Sequence, residues 1–118
     1  MQGTECGMMT PEVMAAIAPK LTESAVRALL ELRLKEIVRQ TAEEYGVPLE
    51  RLLSRKRDQH TANCRQVAMY RCRKLTVASF PLIAQVLGRD HSSIVHGVQL
   101  VERRWGERAL LVKMGMAN

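Results

Sequence analysis

Ten residues, Leu87-Gly88-Arg89-Asp90-His91-Ser92-Ser93-Ile94-Val95-His96, constrain this chain most, because one apolar helix must stop there and another must start. Gly88 suits a helix-ending turn, since glycine enters the left-handed region without steric cost. Asp90 has N-cap chemistry, its carboxylate able to accept from the orphan amides of the next turn. Beyond it, Ile94, Val98, Val101 and Trp105 recur at helical spacing and form a stripe that faces a core. His91, Ser92, His96, Gln99 and Arg103 then fall mainly on the opposite side. Before it, Ser79-Phe80-Pro81 opens a helix that runs to Leu87, with serine as cap and proline in the first turn. Small Ala84, Gly88 four residues later and β-branched Ile94 six after that complete the spacing. Two short helices, about 79–87 and 90–104, joined by a glycine turn predict a helix-turn-helix in an all-α, compact multi-helix domain.

Composition supports that class. In 118 residues, 47% are hydrophobic, enough for one ordinary core, but only 3% are aromatic, so the core is expected to be aliphatic. No apolar run approaches the ~20 residues that cross a bilayer, and the N-terminus lacks a signal-peptide pattern, so no membrane role is expected. Three cysteines, Cys6, Cys64 and Cys72, form no Cys-x-x-Cys pair and point to reduced thiols in a cytoplasmic chain. The net charge of +6 is unevenly spread. Residues 51–75 carry eight Lys/Arg against one Asp, whereas residues 1–50 carry five against eight Glu. A basic block beside an acidic one predicts a polyanion gripped on one face.

Taken in order, residues 1–9 show no periodicity and are expected to be disordered. Thr10-Pro11-Glu12 starts a short helix to about Ala18, which Pro19 ends. A longer helix follows from Thr22 to about Tyr45, its stripe set by Val26, Leu30, Leu34 and Ile37. Leu29 and Leu32 exceed what one stripe needs, which leaves either extra core closure or a surface for a partner or a second copy. Pro48–Leu53 fits one or two turns bearing Leu49, Leu52 and Leu53, and 54–61 is a basic, polar loop. Helix resumes over Ala62–Leu75, with Val67, Ala68, Tyr70 and Leu75 for burial and Arg65, Arg71, Arg73 and Lys74 on or near its polar side. After Gly106, Ala109–Met116 reads as a last short apolar turn.

The run Gly88–His96 resembles the C-terminal DNA-binding domain of the bacterial chromosomal replication initiator, DnaA. Val38–Leu53, Ser54-Arg55-Lys56-Arg57, Arg65–Tyr70 and Ser79-Phe80-Pro81 extend the likeness over about residues 34–104. The family usually has two glycines before Arg-Asp-His and two threonines after it, where this chain has Gly88 alone and Ser92-Ser93. With the disordered 1–9 and an N-terminal helical extension 10–33 read above, the resemblance implies a DNA-binding domain over 34–118. It implies double-stranded DNA as partner, at DnaA-box-like sites. Asp90, His91 and Ser92 would then meet base edges in the major groove, with Ser93 beside them. Arg57 matches the minor-groove arginine, and Arg65, Gln66, Arg73 and His96 match phosphate contacts. Serine at 92 lacks the threonine methyl that packs on thymine, which relaxes one base pair by about 1 kcal/mol.

Other chemistries lack their patterns. Cys64, Cys72, His91 and His96 do not have zinc-finger spacing, so no metal is expected. Asp90-His91 comes with no nucleophile motif, and no Gly-x-x-x-x-Gly-Lys-Ser/Thr loop occurs, so neither an enzyme nor a nucleotide cofactor is expected. The expected role is regulation of replication initiation or transcription at the nucleoid, without an ATPase of its own. The alternative is a protein-interaction adaptor that uses the N-terminal helices on the replication initiator or another partner, and homodimerisation is left open.

Overall fold

The computed structural model describes residues 22–55 and 57–111. Helix α1, Glu23–Tyr45, begins where the Thr22 hydroxyl accepts from the Ala25 amide at 3.0 Å. It ends at Gly46, whose φ of 69° lets the chain turn back after donating to Ala42 and Glu43 carbonyls. Only the C-terminal part is inside, through Leu34, Ile37, Val38, Thr41, Ala42 and Tyr45. The predicted stripe does not hold at its upstream end. Val26 is 49% exposed, and Leu29 and Leu32 are 62% and 63% exposed. Helical spacing reports which side a residue takes, and it says nothing about whether a neighbour extends that far.

Helix α2 is a single turn, Leu49–Leu52, that buries Leu52 and leaves Leu49 and Leu53 partly exposed. Helix α3, Gln59–Leu75, starts three residues before the position expected from the sequence. The Asp58 carboxylate accepts from both the amide (3.0 Å) and the hydroxyl (2.8 Å) of Thr61, so a stretch that looks like polar loop is the first helical turn. α3 packs against every other described element. Cys64, Val67, Ala68, Tyr70 and Cys72 are fully buried, and both cysteines are free thiols that burial pushes up to about 12. Leu75, expected inside, is 47% exposed at the helix end.

Arg71 reverses its expected place on the polar side. It is buried, its guanidinium donating to both carboxylate oxygens of Glu44 (2.7 and 3.3 Å), to the Thr41 hydroxyl and to the Ala109 carbonyl. It ties α1 and α3 to the closing 3-10 turn, Gly106–Leu110, where Ala109 is buried and Leu110 half-buried.

Helices α4, Phe80–Leu87, and α5, His91–Arg104, lie across α3. Ile83, Leu87, Ile94 and Val101 complete the aliphatic core, each such side chain worth about 1.5–3 kcal/mol when withdrawn from water. α5 approaches α3 through Gly97, where an added Cβ would come within 2.6 Å of Met69 Sδ. Among the described residues there is no strand, and no helix is long and apolar enough to cross a membrane. The expected disorder of 1–9, the expected helix of 10–18 and the end of the 109–116 turn lie outside the described residues.

Candidate nucleic-acid interface

The turn between α4 and α5 follows from local chemistry. Ser79 accepts from the Leu82 amide at 3.3 Å, and Pro81 sits in the first turn, where its missing amide costs nothing. Gly88 adopts φ 66°, and the Gly88 and Arg89 amides close on the Gln85 and Ala84 carbonyls. Asp90 then takes the N-cap position in extended geometry, its carbonyl accepting from Ile94 at 3.2 Å. Its carboxylate makes no capping hydrogen bond, contrary to the role expected from its position. The side chain is exposed, and neither of its oxygens accepts from the amides of the helix start.

His91, Ser92, Ser93 and His96 are exposed, while Ile94, Gly97, Val98 and Val101 face inward, so the division of sides read from the spacing holds. Trp105, the last residue of that stripe, is half-buried against the core. The His91 ring meets Phe80 edge-on at 5.8 Å between centroids, and the Arg73 guanidinium lies over the same Phe80 ring, 4.2 Å from its centroid. Arg73 also donates to the Ala78 carbonyl at 2.9 Å. One phenyl ring therefore orients both an imidazole expected at bases and an arginine expected at phosphates.

Between α3 and α5 runs an open groove of about 230 Å³, lined by Arg65, Gln66, Arg89, Ser93 and His96 over Ala62, Met69 and Gly97. Gln66 Oε1 and Arg89 Nε are buried there without a hydrogen-bond partner. Arg65 is itself buried, donating to the carbonyls of Leu52 (2.8 Å) and Ser54 (3.1 Å). Burial, and then the nearby Arg89 charge, push the Arg65 pKa down; burial, and then Arg55, do the same to Arg89.

The loop between α2 and α3 carries Arg55 and Arg57, both exposed, and Arg57 has no hydrogen bond or ion pair among the described residues. Arg89 donates to the Ser54 carbonyl, which fastens this loop beside the turn. Arg65, Gln66, Ser93 and His96 thus share one groove. Asp90, His91 and Ser92 form the exposed start of α5, Arg73 joins them through Phe80, and Arg57 stands on the tethered loop. Sequence reasoning gave no role to Phe80 or Arg89. The available signals were a lone phenylalanine beside a helix-opening proline and a long cation inside a tight turn.

Residues 34–101 match the family model described as the bacterial DnaA protein helix-turn-helix. The chain belongs to that family. The match opens at Leu34, the first fully buried residue of α1, and closes at Val101, the last buried residue of α5. The DnaA helix-turn-helix is a DNA-binding domain and not a catalytic one. The chromosomal replication initiator protein DnaA of Caulobacter vibrioides is 34% identical over 88% of this chain, matched to 21% of that protein. The corresponding protein of Aquifex aeolicus is 41% identical over 59% of the chain and 18% of its own length. That of Chlamydia pneumoniae is 35% identical over 70% of the chain and again 18% of its length. The chain therefore spans about a fifth of the length of these relatives.

Proposed function

We propose that this chain binds double-stranded DNA in a sequence-specific manner at DnaA-box-like sites, and regulates replication initiation or transcription by occupying them. Asp90, His91 and Ser92 enter the major groove at the start of α5, where each base pair offers a distinct donor and acceptor pattern. Asp90 accepts from a cytosine or adenine amino group, and His91 donates or accepts. Arg57 enters the adjacent minor groove, reading its A·T-dependent width and potential. Gln66, Arg73, Ser93 and His96 follow the phosphates, and Arg65, two of whose N–H groups hold the loop, adds its charge to the same strand.

The observation that carries this reading is the Asp90 carboxylate. It stands exposed at the head of α5 with no capping hydrogen bond, while the arginine-bearing loop is tethered to the residue before it. The test is selection of bound sequences from random duplex DNA at two salt concentrations. A box of the initiator type with an A·T-rich flank is expected, with affinity falling steeply as salt rises. An unrelated motif would refute the assigned base contacts.

The exposure of Val26, Leu29 and Leu32 favours a second reading, an adaptor that docks a protein partner (the replication initiator or a second copy) on the upstream half of α1. Recovery of no DNA motif supports it. Replacing Arg57 and His91 by alanine separates the two, because an adaptor keeps its cellular effect after DNA binding is lost.

A further inference from the structure

We propose that Arg89 is a positioning residue that sets the gap between the two DNA-reading elements, by pinning the arginine-bearing loop to the helix-turn-helix turn. The proposal rests on the DNA-binding reading above. Three segments meet at the Ser54 carbonyl. Arg89 donates to it through Nη2 from the turn, Arg65 donates to it at 3.1 Å from α3, and Arg65 Nε holds the neighbouring Leu52 carbonyl at 2.8 Å. Ser54 immediately precedes Arg55, and Arg89 immediately precedes Asp90. One hydrogen bond across 35 residues of sequence thus joins the base of the Arg57 loop to the head of α5.

The other bonds hold the ends of the loop: the Ser54 amide and hydroxyl donate to the Arg51 carbonyl, and Arg51 pairs with Asp58 at 3.2 Å. The loop's described residues form no regular secondary structure, and at its far end it is fixed by Asp58, the N-cap of α3. The Arg57 side chain makes no hydrogen bond within the described residues, so its reach depends on where the backbone below it is anchored. The anchor itself is unfavourable in isolation. Two guanidinium groups converge on one neutral acceptor, and Arg89 Nε is buried with no partner. An apolar side chain would fill the same space without desolvating a cation. What arginine adds is a donor that fixes where that carbonyl stands. A fixed carbonyl holds the minor-groove arginine in register with the major-groove helix before DNA arrives, which removes the ordering cost a free loop incurs on binding.

The test is a double-mutant cycle on the selected duplex, joined to amide hydrogen exchange on the free protein. In the parent chain, Arg57→Ala is expected to weaken binding about tenfold; in an Arg89→Ala background the same change should cost no more than about threefold. Arg73→Ala, on the Phe80 side, is expected to cost the same in both backgrounds. In the free protein, Arg89→Ala should speed amide exchange at Arg55 and Arg57 about tenfold and leave Val98 and Val101 unchanged. Equal Arg57 losses in both backgrounds, or unaltered loop exchange, overturn the proposal. So does a uniform rise in exchange, which marks global destabilisation. If Arg89→Ala does not fold, Arg89→Lys retains a donor without the planar fork and must show the same coupling at lower amplitude; additivity there overturns the pin as well. A parent chain with no sequence preference refutes the DNA-binding reading instead, and loop exchange still decides whether Arg89 holds the loop.

Discussion

Two arginines of α3, one residue apart from adjacency, lead opposite lives. Arg71 is buried against Glu44, and its charge is cancelled inside the molecule by a carboxylate that its fork grips with two N–H groups. Arg73 lies over Phe80 and donates to the Ala78 carbonyl, and it enters no ion pair among the described residues. The same contrast separates the Arg71 cluster from Arg89, which is fastened by a neutral carbonyl and also lacks an ion pair among the described residues. A carbonyl or a ring can orient a guanidinium, but it leaves the positive charge in place. Orientation without neutralisation is what a surface needs if an external polyanion is to complete it.

The largest effect expected from this contrast is on Arg71. Arg71→Met should destabilise the fold by about 3 kcal/mol, because the buried Ala109 carbonyl loses its donor and Glu44 its partner. Urea unfolding measures the loss, and the salt dependence of DNA binding by the folded fraction should not change. Arg73→Gln should do the reverse, leaving stability nearly intact while making the log–log salt slope shallower by about one. A stable Arg71→Met variant with a shallower slope would break the distinction. Asp58 gives the smallest effect and sharpens the case of an acid inside the basic segment. Hydrogen bonds from Thr61, side chain and backbone, hold its carboxyl at about 2, below the ordinary 3.8. Because the folded value is depressed, the cap's stabilisation is complete above the unfolded value and is lost as pH falls through about 2. Asp58→Asn keeps an acceptor oxygen, and its acid titration followed by circular dichroism should lack that component.

The division between sequence and structure runs through particular residues. The helix-turn-helix was legible because its signals are local: Ser79 and Pro81 at one end, Gly88 at the turn and a stripe at alternating four- and three-residue spacing after it. Asp90 was legible as the N-cap position but not as a carboxylate that declines the cap, since that depends on a side-chain torsion and not on residue type. The start of α3 was misplaced because a polar run hides the Asp58–Thr61 pairing that makes it helical.

Periodicity, capping chemistry and turn residues act within a few positions, so the order of amino acids alone determined the all-α class, the helix-turn-helix and the exposed start of α5. Which arginine is sealed against a carboxylate and which is left charged was decided only by folding. Arg71 meets Glu44 across 27 residues, and Arg89 meets Ser54 across 35. Both partners are brought close by helix packing, which is set by the shapes of a shared core and leaves no mark in the spacing along the chain.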